Sequence, residues 1–507
     1  MGRKLTVFYT SDCHGSFEAL SRCSASFAHG GNALIIDGGD TLHGSPLAYY
    51  LCRRRNGSGK ENLPFVPAQI MNSAGYHSIT LGNHDFSFGQ EILNEYLSGL
   101  NAECLCANLS GLANVKGTAV VTLENGLRVG VAGITSSTVP SMESSDNLAG
   151  LTFSDAFSAA AEALAELKKQ NTDITVCLYH GGFEFPPDEY LSSPEHGCAL
   201  PEEPCLENQG LRIAEKLDYD ILLTAHQHNL LSGETICGTF VCQLLNQCGG
   251  YIRLEAEEGT AGEISVSGGF FSAENNAPDE EVERILLPVK KHFRTWLESE
   301  AGNLDSDLIF SGYLDAAVNG SLLANFFNQV QLSVSGADIS CTALGNEQKG
   351  IPSKVTNGDV IRGYSYANTL AVIETDRAML KKALERCAEY FERDSGGELH
   401  ISEAFLKPMV QHFNYDYFSG IEYVIDTRRP LGDRVVSIKY KGRELGDAEK
   451  LTLCMNNYRA SGNGGYPFYR EAKTVSVVKK EVQELIFETI GRSGTVSVDR
   501  HKWAAMI

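Results

Sequence analysis

The chain has 507 residues, 43% of them apolar and 21% charged, enough material for about two to four domains that each bury a core. Its 64 acidic residues outnumber 42 basic ones, and the resulting net charge of −22 at neutral pH excludes a nucleic-acid polymer as partner, because a phosphate backbone would be repelled. A small phosphorylated substrate stays compatible where bound cations reverse the local sign, and no apolar run reaches the roughly 18–20 residues that a membrane span needs.

The opening MGRKLTVFYTSDCHG has no apolar signal region, and strand character begins by Leu5. The expected compartment is therefore the cytoplasm, with export only after processing upstream. Fourteen cysteines without CxxC spacing read as reduced, mainly core, thiols. Up to about residue 230, LTVFYTSD, ALIIDGGD, SITLGNHD, LRVGVAGIT, TDITVCLYHGG and YDILLTAHQH are apolar runs that end in polar or glycine-rich turns. Such runs predict an α/β layered sheet with its chemistry at the strand C-termini.

Residues 154–169 (SDAFSAAAEALAELKK) predict an amphipathic helix with Ser154 as its N-cap. Residues 272–303 are charged and helical, with Pro288 expected to kink the helix or end its first half. This predicts a linker helix over 276–303 between a first domain of 1–275 and a second α/β domain of 304–507. In the second domain TLAVIET, EYVIDT, VVSIKYKG and KLTLCMNN predict strands, and MLKKALERCAEYFER and KEVQELIFETIG predict helices. The absence of an internal repeat argues against a solenoid.

The polar residues at the strand ends carry the chemistry. Asp12-Cys13-His14 closes the first run, Asp40 the second, Asn83-His84-Asp85 the third; His180 closes LYHGG and His226-Gln227-His228 closes LLTAHQH. Alternation along an extended chain places Asp12 and His14 on one side, as it does His226 and His228, and sends Cys13 into the sheet. Each signal alone is ordinary: a lone DxH or GNHD is a turn. The ordered series DxH, GGD, GNHD, YHGG, AHxH, each after an apolar run, is not. Its imidazoles, carboxylates and carboxamide suit two divalent ions such as Zn, Mn, Fe or Co, and two neighbouring ions need a shared carboxylate, for which Asp40 is the natural bridge.

This order resembles the calcineurin-like metallophosphoesterase family over about residues 5–250. The resemblance implies that one ion takes Asp12, His14, Asp40 and His228, that the other takes Asp40, Asn83, His180 and His226, and that His84 is the transition-state histidine. In the second half, FNYDYFSGIEYVID (413–426) and NNYRASGNGGYP (456–467) each set an aromatic beside a turn, so Tyr415 and Tyr466 could sandwich a planar base. Aromatics beside glycine turns are also ordinary core residues. With the linker helix and the segment GDVIRGYSYANTLAVIE (358–374), the whole chain is similar to the 5′-nucleotidase superfamily. That likeness implies a layered metallophosphoesterase β-sandwich flanked by helices, a linker helix, and a second α/β domain in which Tyr415 and Tyr466 stack the base and Asn368 contacts substrate.

The wording of these segments is most similar to the bifunctional 2′,3′-cyclic-nucleotide 2′-phosphodiesterase/3′-nucleotidases. Where the 5′-specific branch carries a phosphate-gripping arginine, this chain reads CTALGNEQKG (341–350), without one. Ser87 stands where 5′-nucleotidases have an Asp that orients the catalytic histidine, and a hydroxyl cannot stabilise an imidazolium as a carboxylate does. His43 reads as a supporting or loop residue near Asp40, Asn108 as a turn cap and Arg362 as a surface residue. The expected activity is hydrolysis of 2′,3′-cyclic and 3′-nucleotides at two metal ions, on a small nucleotide, with no membrane partner and the oligomeric state open. The alternatives are a 5′-nucleotidase or nucleotide-sugar diphosphatase with a rebuilt phosphate grip, and a nucleotide-binding protein with weakened catalysis.

Overall fold

The structure is a computed structural model that describes residues 2–53, 65–184, 205–259, 263–366, 368–407, 409–492 and 494–507. The chain divides into two units, Met1–Phe293 and Arg294–Ile507.

In the first unit the six expected runs form strands β1 (Lys4–Thr10), β2 (Ala33–Asp37), β3 (Ser78–Ile79), β4 (Arg128–Thr135), β5 (Ile174–His180) and β6 (Ile221–Thr224). Parallel β1, β2 and β3 lie inside a seven-stranded sheet, and parallel β4, β5 and β6 inside a six-stranded one. The two sheets share one apolar layer, in which Leu5, Val7 and Ile36 join Val131, Val176 and Leu223. On the other face of the second sheet, Ala160, Leu164 and Leu211 from helices Ala156–Lys169 and Gly210–Lys216 make a further core. Because β2 and β5 are covered on both faces, every residue in them is buried, which is why they read as continuous apolar runs. The unit is therefore a β-sandwich flanked by helices.

One local expectation is corrected and one is narrowed. The helix at 156–169 is capped by Asp155 rather than Ser154: the Asp155 carboxylate accepts from the Ser158 N–H at 2.9 Å. Helix Glu280–Glu298 runs through Pro288 without ending. The proline is on the exposed side, where water can serve the carbonyl it leaves unbonded, while Val282, Leu286 and Val289 face inward. The division between the units falls within this helix. Its first half is fixed to the first unit by the Lys290–Glu18 ion pair at 3.0 Å, and in the second unit Trp296 packs on Phe487.

The second unit is built on a five-stranded sheet in the order Asp416–Ser419, Ile339–Ala343, Lys450–Asn456, Leu370–Asp376, Thr474–Val478. A four-stranded sheet contains Val435–Tyr440 and Glu422–Ile425. Helices Leu322–Ser335, Arg377–Ala388 and Val482–Ile490 supply Phe326, Phe327, Leu384 and Ile486 to its core. Arg459 and Asp416, both about 2% exposed, form an ion pair at 2.8 Å inside it. Among the described residues no helix is long and apolar enough to cross a membrane.

Candidate metal centre

The ends of β1, β2, β3, β5 and β6 carry the predicted ligands, of which Asp12, His14, Asp40, His180 and His228 bring their ligand atoms together. Asp12 and His14 follow β1, Asp40 follows β2, Asn83 opens a 3₁₀ turn after β3, His180 is the last residue of β5, and His226 and His228 follow β6. The loops after β1 and β2 are laced together: the N–H groups of Asp12, His14 and Gly15 donate to the carbonyls of Gly39, Asp40 and Thr41 at 2.8, 2.8 and 3.0 Å. Asp12, His14, Asp40, His226 and His228 all adopt left-handed backbone, with φ between 49° and 74°. That conformation costs a non-glycine residue roughly 1–3 kcal/mol and persists where surrounding bonds over-determine it. Convergence of Asp12 with His14 therefore comes from tight turns and not from strand alternation. Cys13 is nonetheless directed inward, at 1% exposure.

Two clusters result. Asp12, His14 and His228 bring their ligand atoms within 4.8 Å of one another, and so do Asp12, Asp40 and His180. Nδ1 of His180 is 2.7 Å from the Gly38 carbonyl and Nδ1 of His14 is 2.7 Å from the His43 carbonyl. A carbonyl only accepts, so both Nδ1 atoms carry the proton and both Nε2 atoms present lone pairs. Yet Nε2 of His180 lies 3.2 Å from Asp40 Oδ2, and Nε2 of His14 lies 3.1 Å from Nε2 of His228, itself 3.4 Å from Asp12 Oδ1. His180 Nε2 and Asp40 Oδ2, two acceptors that face each other at 3.2 Å, call for a cation between them. Without a metal, a proton takes that place: burial opposes it, but the charge of Asp40 raises the His180 imidazole to about 10, and His180 in turn holds the buried Asp40 carboxyl well below its usual range.

The fit to divalent metal is supported by two orphaned atoms. Asn83 Oδ1 and His180 Nε2 are buried without a hydrogen-bond partner. A side chain at Gly82 would put its Cβ 2.0 Å from Asp40 Oδ1, so glycine there keeps the cradle open. Asp40 Oδ2 is 3.2 Å from His180 and 3.9 Å from His14, while its Oδ1 accepts the His84 N–H at 2.7 Å. His84 stands edge-on to His14 with centroids 5.3 Å apart, and burial pushes its imidazole down to about 4 against the pull of Asp40.

Several residues were missed from sequence. Asp85, 1% exposed, accepts the N–H groups of Asp40, Thr41, Leu42 and Gly82 at 2.8–3.0 Å and so fixes both the Asp40 and Asn83 loops. Burial raises its carboxyl to about 6 and that of Asp37, which bonds Thr10 and Gly39, to about 7. Glu207 Oε1 lies 3.0 Å from Nε2 of His226, so the carboxylate fixes the proton of that ring on Nε2. The last residue of the GNHD motif was the available signal for Asp85; nothing local pointed to Glu207. Asn108 bridges Thr135, both donating to its carbonyl and accepting its N–H, in keeping with a turn role.

In the second unit the base sandwich of Tyr415 and Tyr466 is corrected. The two rings are 2% and 0% exposed. Tyr415 packs against Tyr390 and Tyr417 with centroids 4.8 and 4.9 Å away. Tyr466 lies under the Arg459 guanidinium at 4.1 Å and stacks on Tyr469. Gly464 and Gly465, at φ 73° and 95°, turn the chain so that Tyr466 enters the core, leaving neither tyrosine a free face. The accessible aromatics of the same segments are Tyr366 and Tyr458, each 40% exposed and close enough to interact electrostatically. Asn368 is half-buried; its carbonyl accepts the Val482 N–H at 2.8 Å, and its side chain bonds Tyr364.

Residues 5–230 match the Calcineurin-like phosphoesterase family and residues 301–471 match the 5′-nucleotidase, C-terminal domain family. The chain belongs to the calcineurin-like phosphoesterases that carry a 5′-nucleotidase C-terminal domain. It is a metal-dependent phosphoric ester hydrolase of that family. It is 29% identical to the putative 5′-nucleotidase of Staphylococcus aureus solved with alpha-ketoglutarate, with a TM-score of 0.71 over 99% of both chains. Among curated proteins it is 23% identical to the 2′,3′-cyclic-nucleotide 2′-phosphodiesterase/3′-nucleotidase of Haemophilus influenzae, over 89% of this chain and 77% of that one. It is 21% identical to the trifunctional nucleotide phosphoesterase protein YfkN of Bacillus subtilis over 92% of this chain, which spans only 35% of that protein.

Proposed function

We propose that the chain hydrolyses nucleotides at two divalent ions, with 2′,3′-cyclic nucleotides and 3′-nucleotides as substrates. The observation that carries the metal chemistry is the buried pair of facing acceptors, His180 Nε2 and Asp40 Oδ2, at 3.2 Å. Asp12, His14, Asp40 and His228 would hold one ion, and Asp40, Asn83, His180 and His226 the other. Bound divalent ions of the Zn, Mn, Fe or Co kind supply Lewis-acid activation of water and neutralise phosphoryl charge.

The chain's own groups do the rest. His84 donates a hydrogen bond from Nε2 to a phosphoryl oxygen and so stabilises the charge that develops there. Asp85 holds the Asp40 and Asn83 loops rigid. Tyr366 and Tyr458 offer exposed faces to a base, in place of Tyr415 and Tyr466, and Asn368 stands in the same segment as Tyr366. In this reading residues 1–275 are the phosphoesterase domain, 276–303 the linker and 304–507 the substrate-binding domain. A cyclic diester is first opened to a 3′-monoester, which is then hydrolysed at the same centre.

The missing arginine in CTALGNEQKG and the likeness to the Haemophilus protein support the cyclic and 3′ preference. The likeness to the S. aureus putative 5′-nucleotidase favours a second reading, a 5′-nucleotidase. Phosphate release from 2′,3′-cyclic AMP (with a phosphatase-free control), 3′-AMP and 5′-AMP in Mn²⁺ separates the two. Dominance of 5′-AMP would reject the first.

A further inference from the structure

The catalytic role proposed for His84 leaves a question of orientation, because residue 87 is a serine. Its hydroxyl does not serve His84: it donates to Glu143 Oε1 at 2.6 Å, and Asn147 bonds both the other Glu143 oxygen and the Ser87 carbonyl, at 3.2 and 3.0 Å. The ring that meets His84 at hydrogen-bond distance is His43, from the turn GGDTLHG after β2. His43 is 5% exposed. Its imidazole lies nearly parallel to that of His84, with centroids 5.1 Å apart and planes 16° from each other. Nδ1 of one ring is 3.1 Å from Nδ1 of the other.

His43 is itself fixed from two sides. Its carbonyl receives Nδ1–H of His14 at 2.7 Å, and Phe88 packs on its ring with centroids 4.9 Å apart at 64°. Two imidazole nitrogens at hydrogen-bond distance must divide one proton, one donating and the other accepting. For His84 to offer a proton from Nε2 while neutral, its Nδ1 must be the acceptor.

We propose that His43 is a positioning residue: its Nδ1–H donates to Nδ1 of His84, fixing the rotamer of that ring and the tautomer that carries its proton on Nε2. The proposal rests on the reading of His84 as a hydrogen-bond donor to the reacting phosphoryl group. It replaces an orienting carboxylate with a neutral donor, so the histidine works as a neutral hydrogen-bond donor with no negative charge behind it.

The test combines a spectrum with three variants. In ¹⁵N-histidine-labelled protein at pH 8, with the His84 signals assigned by their loss in His84→Asn, the intact chain is expected to show an unprotonated Nδ1 and a protonated Nε2. A proton on Nδ1 of His84 overturns the proposal. For turnover of the preferred nucleotide, His43→Ala should lower kcat by about 10–100-fold, the usual scale for a supporting partner, with KM and metal content held. His43→Gln, whose amide N–H can still donate, should restore most of that loss. His43→Glu, which only accepts at this pH, should not. Equal rates for the Gln and Glu variants, or an unchanged rate for Ala, would also overturn it. The spectrum requires no turnover: a chain inert toward every nucleotide defeats the proposed function, while the protonation of Nδ1 still decides the His43–His84 bond.

Discussion

Asp40 Oδ2 lies 3.2 Å from His180 Nε2, on a histidine whose other ring nitrogen is already committed to the Gly38 carbonyl. Two groups that can only accept are thereby held together in a buried place, and the arrangement is stable only with positive charge in the gap. Asp40→Asn removes half of the demand and replaces a carboxylate oxygen with an amide. Metal content by elemental analysis should drop by one or both ions, and phosphate release should fall at least about 100-fold. Full metal content with normal turnover would remove Asp40 from its bridging role.

The same pair sets a pH dependence. In metal-free protein the His180 imidazole is raised from its ordinary 6.5 to about 10, with burial opposing and Asp40 driving the shift. A folded-state value above the unfolded one means stability that is full below about 6.5 and lost as pH rises through about 10. Asp37 and Asp85, raised by burial to about 7 and about 6, have the same sign: their contribution is full below about 4 and is lost as pH rises through those values. His84, lowered by burial to about 4, has the opposite sign up to about 6.5. Chelator-treated protein should therefore melt at progressively lower temperature from about pH 6.5 to pH 9.5, and reloading with Mn²⁺ should flatten that slope. An apo melting temperature that climbs across this range would contradict the assignment.

Asp85 accepts four backbone N–H groups from the two loops that carry Asp40 and Asn83. Asp85→Asn turns one of its oxygens into a donor facing donors. Unfolding in urea should show a loss of about 1–3 kcal/mol in metal-free protein, accompanied by weaker metal binding. No change in either would mean that the loops hold their shape unaided.

Tyr415→Ala and Tyr458→Ala should behave differently. The first opens a cavity in the second unit's core and should cost about 3–5 kcal/mol of stability, whatever the substrate. The second should weaken nucleotide use by about 1–3 kcal/mol in kcat/KM while sparing p-nitrophenyl phosphate, which has no base to stack. Equal losses on both substrates for Tyr458→Ala would make that residue structural.

Glu207→Gln removes the carboxylate that meets Nε2 of His226. Calorimetric titration of Mn²⁺ into apo protein should show one of two sites lose about 10–100-fold in affinity, with Glu207→Asp recovering part of it. Unaltered isotherms would relieve Glu207 of that task.

The strands of the first unit and the chemistry of their ends were legible because a covered parallel strand must be continuously apolar, so Asp12, Asp40 and His180 stand out against their own segments. How those residues meet was not legible: alternation was the expected cause, whereas left-handed turns at Asp12, His14, His226 and His228 do it. Asp85 was hidden because its partners are main-chain N–H groups, which leave no trace in side-chain identity. Tyr466 shows the opposite failure: a tyrosine after two glycines is equally a platform or a plug, and only the buried Arg459–Asp416 pair beneath it decides. Pro288 read as a kink or an end to the first half of the helix because its exposure was unknown.

The left-handed backbone at five of the proposed ligand positions also filters how relatives of this chain can decay. Valine, isoleucine or threonine at position 14 or 228 would offend the main chain as well as the ion, whereas glycine or asparagine would relax it. Descendants released from catalysis should therefore drift toward glycine and asparagine at these sites, and that residue choice would mark a retired phosphoesterase before any assay is run.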